Sequence, residues 1–199
     1  MPTLPTAAKR EFIEAELRSS AATKERMIAH CSEAIAAGVD LLVRTFRNKH
    51  KVLLCGNGGS AADAQHIATE FVVRMNPAIT RPGMPAIALT TDSSMLTAGA
   101  NDLGYDHVFE RAVGALGEKG DVLIGISTSG RSESVRLALR AARERGMQTV
   151  ALLGKDGGTC REQADVAIIV PSDDTQRIQE GHITIGHILC ALTEKEIYG

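Results

Sequence analysis

Two stretches of the chain set small hydroxyl residues against glycine directly after a short apolar run: Cys55-Gly56-Asn57-Gly58-Gly59-Ser60 and Ser127-Thr128-Ser129-Gly130-Arg131-Ser132. In each, the apolar run (Lys51 to Cys55, then Asp121 to Ile126) breaks at a turn and a helical pattern follows. Such a turn leaves backbone N–H groups unpaired at a helix start, where the helix dipole favours an anion. Ser127, Thr128, Ser129 and Ser132 add four hydroxyls within six residues. That makes a neutral cradle dense in donors, suited to a phosphate monoester. One such loop could be no more than a helix cap; two on parallel strands point to a pocket for a phosphorylated small molecule.

The helix that Ser60 opens carries His66 and Glu70, four apart and on one face, with Asp63 one turn earlier. An imidazole and a carboxylate so placed can be a metal pair, an acid/base pair or a surface hydrogen bond. The flanking Ala61, Ala62, Ala64, Ile67, Ala68 and Phe71 read as a buried helix, in which a free carboxylate needs a partner. The segment Arg177 to Leu189 likewise sets Gln179, Glu180, His182 and His187 among isoleucines. Polar groups in an apolar helix are costly unless paired or functional. The plainer alternative is a subunit-packing helix whose polar positions are hydrogen-bonded.

Gly56 to Ala61 also satisfies the GxGxx[GA] dinucleotide pattern. Its confirming element is an acidic residue about 20 positions on, at the end of a second strand. The region instead reads Arg74-Met75-Asn76-Pro77 and then Arg81-Pro82-Gly83. The dinucleotide reading fails there, and it leaves the Ser127–Ser132 loop unexplained.

Strand and helix must alternate to present these loops together. Apolar runs predict strands over Val52–Cys55, Ala86–Leu89, Val122–Ile126, Thr149–Leu153 and Val166–Val170, with helices over 60–74, 93–101, 106–116, 132–145, 158–164 and 176–197. Near-continuous apolar strands separated by helices mean an α/β fold with a parallel sheet covered on both faces. Ligands of such sheets sit beyond the carboxyl ends of the strands, where both loops fall, as does Thr90-Thr91-Asp92. Residues 6–48 read as helix throughout, with Ser19-Ser20 a candidate break into two. No repeat or linker interrupts the chain, so one domain over 1–199 is expected, with 1–50 as a helical segment used in packing and 51–199 as the sheet core and last helix.

Composition narrows the function. A net charge of −2, with the 22 basic residues dispersed, gives no reason to expect nucleic acid or membrane binding. Aromatics at 3% with no tryptophan argue against base-stacking platforms. Cys31, Cys55, Cys160 and Cys190 lack CxxC spacing, so neither a zinc knuckle nor a disulfide framework is indicated. With no apolar leader or span-length segment, a cytoplasmic location is expected.

The blocks GNGGSAADAQHIATE, ALTTD, NDLGYDHVF, GDVLIGISTSGRS and RIQEGHITIGHILC, in this order, closely resemble the phosphoheptose isomerases of the sugar isomerase (SIS) domain family. The resemblance implies a flavodoxin-like three-layer sandwich around a five-stranded parallel sheet. It implies conversion of sedoheptulose 7-phosphate to D-glycero-D-manno-heptose 7-phosphate, the first step toward activated heptose for lipopolysaccharide or capsule. It also implies a homotetramer with active sites at subunit interfaces. Carried over residue by residue, it assigns Asn57, Gly58, Gly59, Ser60, Glu70, Asn101, Asp102 and Gln179 to the substrate, and Ser127, Thr128, Ser129 and Ser132 to its phosphate. His66, Glu70, Gln179 and His187 match the family's metal ligands, usually zinc, and Glu70 and His187 match its acid/base pair. Where some relatives have an aspartate three residues before the glutamine, this chain has Gln176, with Asp173 and Asp174 just upstream.

The chemistry agrees. Moving a carbonyl from C2 to C1 through an enediol needs one group to shuttle the carbon proton and another to move protons between oxygens. The non-catalytic alternative is a replication initiator-associating or sugar-phosphate-sensing protein of the same fold, which has no need to keep His66, Glu70, Gln179 and His187 together. Gln179 and His187 stand eight residues apart, about 12 Å along an ideal helix. Both reach one ion only if their side chains lean together, the helix start is irregular, or another subunit supplies one of them.

Overall fold

The computed structural model describes residues 5–199 and builds them around one five-stranded parallel sheet of order β2-β1-β3-β4-β5. The strands are β1 (Val52–Gly56), β2 (Ala86–Ala88), β3 (Val122–Ser127), β4 (Gln148–Gly154) and β5 (Val166–Val170). The helices are α1 (Thr6–Arg47), α2 (Gly59–Val72), α3 (Ser93–Leu103), α4 (Val108–Leu116), α5 (Glu133–Glu144) and α6 (Thr175–Tyr198). Each predicted strand is present, because a parallel sheet covered on both faces leaves its strands nothing but apolar positions.

Alternate residues of β1, β3, β4 and β5 feed two separate cores, while the edge strand β2 joins only the first and leaves Ile87 exposed. Val52, Leu54, Ile124 and Leu152 pack with Leu42 of α1, Ile67 and Phe71 of α2, and Ile185 and Leu189 of α6. Leu53, Leu123 and Leu153 pack on the other face with Val108 and Phe109 of α4 and Val135 and Leu139 of α5. The result is three layers, helix on sheet on helix. With this strand order the chain reverses direction between β1 and β3, the crevice where open α/β sheets hold ligands. Gly56 of β1 pairs with Ile126 of β3, so the two glycine-hydroxyl loops leave the sheet side by side.

Two local expectations are corrected. No break occurs at Ser19-Ser20; α1 runs unbroken. Thr23 Oγ1 donates to the Ser19 carbonyl at 3.0 Å and Lys24 Nζ donates to Ser20 Oγ at 2.7 Å. These side chains bond along the helix instead of opening it. The helix predicted over 158–164 is a 3₁₀ segment, Gly158–Gln163, entered through Gly157 and Gly158 at φ +83° and +50°. A further 3₁₀ turn, Tyr105–His107, precedes α4.

Helix α1 overshoots the body it packs on. Its buried residues begin at Thr23, whereas Phe12, Ile13, Leu17 and Ile28 are each more than half exposed, from 56% to 66%. Helix α6 is apolar around much of its girth for a different reason: α1 and α2 both lie against it, and Ile178, Ile185 and Leu189 are fully buried. No helix among the described residues is long and apolar enough to cross a membrane.

Candidate active site

The first loop turns at Gly58, φ +58°, a conformation costly for any residue with a side chain. A Cβ on Gly56 would sit 2.7 Å from the Ser60 carbonyl oxygen, so the strand end can pass α2 only as glycine. In the second loop Gly130 has φ +66° and a Cβ there would collide with the Gly157 carbonyl. The Cys160 amide donates to the Gly130 carbonyl at 2.9 Å, so the 3₁₀ segment braces this loop from behind.

Asn57 joins the loops. Its Nδ2 donates to Ser132 Oγ at 2.8 Å and to Ser134 Oγ at 3.0 Å, while its Oδ1 accepts from the Tyr105 hydroxyl at 2.7 Å. Ser132 is the residue before α5, yet its hydroxyl makes no cap to the helix. The hydroxyl meets Asn57 instead. Ser127 is buried, and Thr128 and Ser129 are half-buried at the mouth of the loop. The neighbouring Arg131 guanidinium is bound to Asp156 at 2.6 Å, and the Arg131 amide donates to Ser129 Oγ at 3.1 Å. The cradle is therefore made of neutral donors at the N-terminus of a twelve-residue helix, an arrangement that holds an anion without a dedicated cation. Asn101 and Asp102 are exposed at the end of α3, where Asn101 Nδ2 donates to Asp102 Oδ1 at 2.7 Å. Ser60, buried, opens α2.

The second set of groups gathers where α2 and α6 run alongside each other. A Cβ on Gly186 would stand 2.6 Å from Ile67 Cδ1, and one on Gly59 would collide with the Gln179 amide. The two glycines let the helices approach closely. At this seam His187 Nε2 lies 3.0 Å from His66 Nε2, with the rings tilted by 51°. His66 Nε2 lies 3.2 Å from Glu70 Oε1. One ligand atom from each of His66, Glu70 and His187 falls within 4.8 Å of the others. Gln179 rests against Gly59 at the head of α2, about two helical turns before His187 on α6.

The donor set suits a divalent cation. Two imidazole nitrogens and a carboxylate, with room for a fourth ligand, is a common catalytic zinc arrangement. Asp63, one turn before His66, has a buried Oδ2 without a hydrogen-bond partner among the described residues. Burial raises its carboxyl above the ordinary value, while His66 and His187 pull it back down. A cation at the seam would accept the lone pairs of the two facing imidazole nitrogens. Tyr105 and Ser134, which contact Asn57, went unassigned from sequence. Both lie in conspicuous blocks, NDLGYDHVF and the serines after Gly130, but nothing in their spacing ties them to Asn57.

A family profile described as SIS domain matches residues 17–154. Curated relatives named phosphoheptose isomerase include one from Clostridium acetobutylicum, 50% identical over 192 residues, covering 96% of this chain and 97% of the relative. Another, from Pelodictyon phaeoclathratiforme, is 56% identical over 177 residues, covering 88% of this chain and 84% of its own. The solved phosphoheptose isomerase of Neisseria gonorrhoeae superposes with a TM-score of 0.88 at 43% identity, over 94% of this chain and 98% of that one. With that fold and those relatives, the chain is an isomerase that belongs to the phosphoheptose isomerase family of SIS-domain proteins.

Proposed function

We propose that this protein interconverts sedoheptulose 7-phosphate and D-glycero-D-manno-heptose 7-phosphate at the start of activated-heptose synthesis. The observation that carries the reading is the His66–Glu70–His187 cluster, a proton-transfer set in the same molecule as a neutral hydroxyl cradle. Ser127, Thr128, Ser129 and Ser132 hold the phosphate, whose binding energy orients the distant carbons. Asn57, with Gly58, Gly59, Ser60, Asn101, Asp102 and Gln179 around it, guides the sugar. A base takes a proton from C1 as the C2 oxygen gains one, giving the enediol. The same proton then returns to C2 while O1 loses its own, leaving the aldose. Glu70 and His187 are the two groups that move these protons.

His66, Glu70 and His187 are the residues that would hold a zinc ion, which supplies polarisation of the carbonyl and stabilisation of the enediolate. Gln179 is the fourth ligand, reaching the ion by leaning along α6 or supplied by a neighbouring copy of the chain. The protein acts as a homotetramer with shared sites. Support comes from the exposed apolar residues on the overhanging part of α1 and from His66, 48% exposed on the α2–α6 surface and open to a neighbour. A cytoplasmic setting fits a phosphorylated sugar substrate and four free cysteines.

The test is incubation of the purified protein with sedoheptulose 7-phosphate, following aldose formation by NMR with and without chelator. Conversion that slows on chelation is expected. No conversion under either condition removes the reading.

A further inference from the structure

Beneath the α2–α6 seam lies an ion pair that the proton-transfer steps do not use. Arg81 Nε donates to Glu194 Oε1 at 2.6 Å, and neither side chain is exposed at all. Arg81 Nη2 donates to the Glu70 carbonyl at 2.9 Å, and Nη1 donates to the Phe71 carbonyl at 2.8 Å and the Pro82 carbonyl at 3.0 Å. Glu70 and Phe71 belong to the last turn of α2, whose carbonyls have no partner inside the helix. A guanidinium there satisfies two of them and suits the negative end of the helix dipole. Glu194 in turn accepts from the Met75 amide at 3.2 Å and the Asn76 amide at 2.8 Å, closing the chain that leaves α2.

Glu194 sits on α6 seven residues beyond His187, two turns along the same face. One interior ion pair thus ties the backbone of Glu70 to the helix that delivers His187. A buried pair adds little net stability over apolar packing of similar volume. What this one adds is a fixed distance, because a guanidinium fork admits few geometries.

We propose that Arg81 and Glu194 are positioning residues that hold the α2 pair, His66 and Glu70, in register with His187 of α6. The kinetic consequence rests on the isomerase reading; the geometric one does not.

Two variants test it: Arg81→Lys, which keeps the charge but loses the fork, and Glu194→Gln, which keeps the shape but loses the charge. Folding is checked by circular dichroism and thermal melting. In the folded variants kcat should fall by about tenfold or more, since small misplacements near reacting atoms cost up to about a hundredfold. KM for the sugar phosphate should stay within about twofold, because the hydroxyl cradle is untouched. In the same samples the imidazole ¹H–¹⁵N signals of His66 and His187 should move, while those of His182, buried on the Leu153 carbonyl, should not. A folded Arg81→Lys protein with wild-type kcat, or with unmoved His66 and His187 signals, overturns the proposal. Failure of both variants to fold overturns it too, since the pair would then be a stability element. Shifted signals in a protein whose wild type does not isomerise the sugar leave the positioning role standing and remove the isomerase reading instead.

Discussion

His187 Nε2 meets His66 Nε2 at 3.0 Å although 121 residues separate them, and the contact depends on Gly186 lying flat on Ile67. Glu70 completes the group from the next turn of α2. All three therefore come from one chain, while the hydroxyl cradle lies at the head of the adjacent crevice. Glu70→Gln and His187→Gln should leave the fold intact and lower kcat by about 10²–10⁴, the usual contribution of a positioned acid or base. Mixing these two variants should restore nothing, because both lesions fall in the same cluster. Mixing either with the cradle variant Ser132→Ala, which should lose turnover as well as affinity, should restore part of the activity if cradle and cluster of neighbouring chains form one site. Steady-state assays on reassembled mixtures, with light scattering to confirm the tetramer, decide the point. A fully active monomer would end the shared-site reading.

Gly186 offers a sharper structural probe. A methyl there would stand 2.6 Å from Ile67 Cδ1 and 2.7 Å from Cγ1, closer than any real contact. Gly186→Ala should push α6 away from α2 and destabilise the protein by about 1–3 kcal/mol, as overpacking in a dense core does. Ile67→Ala in the same chain vacates that space, so the double variant should recover part of the loss. Urea unfolding of both single variants and the double variant gives the coupling. Strict additivity would show that the helices do not pack this closely.

The second loop separates binding from chemistry. Ser129→Ala should weaken the affinity for sugar phosphate by about 1.5–3 kcal/mol and leave kcat nearly unchanged, because a hydroxyl on a distant phosphate acts in ground and transition states alike. Ser132→Ala should do more. Its hydroxyl also accepts from Asn57 Nδ2, so its removal frees the first loop and should lower kcat as well. Titration with product and initial-rate kinetics on both variants distinguish the two cases; equal effects on kcat would dissolve the distinction.

Much of this was legible in the residues, for a physical reason in each case. Strands such as Val122–Ser127 announce themselves because both faces are buried and no polar alternation is left. His66 and Glu70 are visible as a pair because helix geometry alone fixes their proximity. The link from Asn57 to Ser132 and Ser134 was not legible, since it depends on which strands are neighbours rather than on local spacing. Arg81 with Glu194 was invisible for the same reason, at a separation of 113 residues. Which faces of α6 are covered was not legible either: α1 and the sheet bury Ile178, Ile185 and Leu189 within the same chain, while Ile188 and Leu192 stay exposed, as do Phe12, Ile13 and Leu17 on the far part of α1.

His182, the other histidine of α6, should set how the protein responds to acid. It is fully buried; its Nε2 meets the Leu153 carbonyl at 2.9 Å, and its Nδ1 has no partner among the described residues. Nε2 therefore carries the proton and donates, and the ring is neutral. Burial lowers its pKa from 6.5 to about 4, against the opposing pull of the Leu153 carbonyl. Between these values the unfolded chain binds a proton that the folded chain refuses. Stability from this residue is thus fully present above about pH 6.5 and is lost progressively as the pH falls toward 4, by an amount of order 3 kcal/mol. His182→Gln keeps a donor for the Leu153 carbonyl and removes the titration. Urea midpoints at fixed protein concentration should therefore converge for the two proteins as the pH is lowered from 7.5 to 4.5, with wild type losing more. Fixed concentration matters because assembly itself stabilises the fold. A constant gap between wild type and variant across that range would mean that His182 takes up its proton in the folded state as readily as in the unfolded one, and the buried neutral imidazole would have to be abandoned.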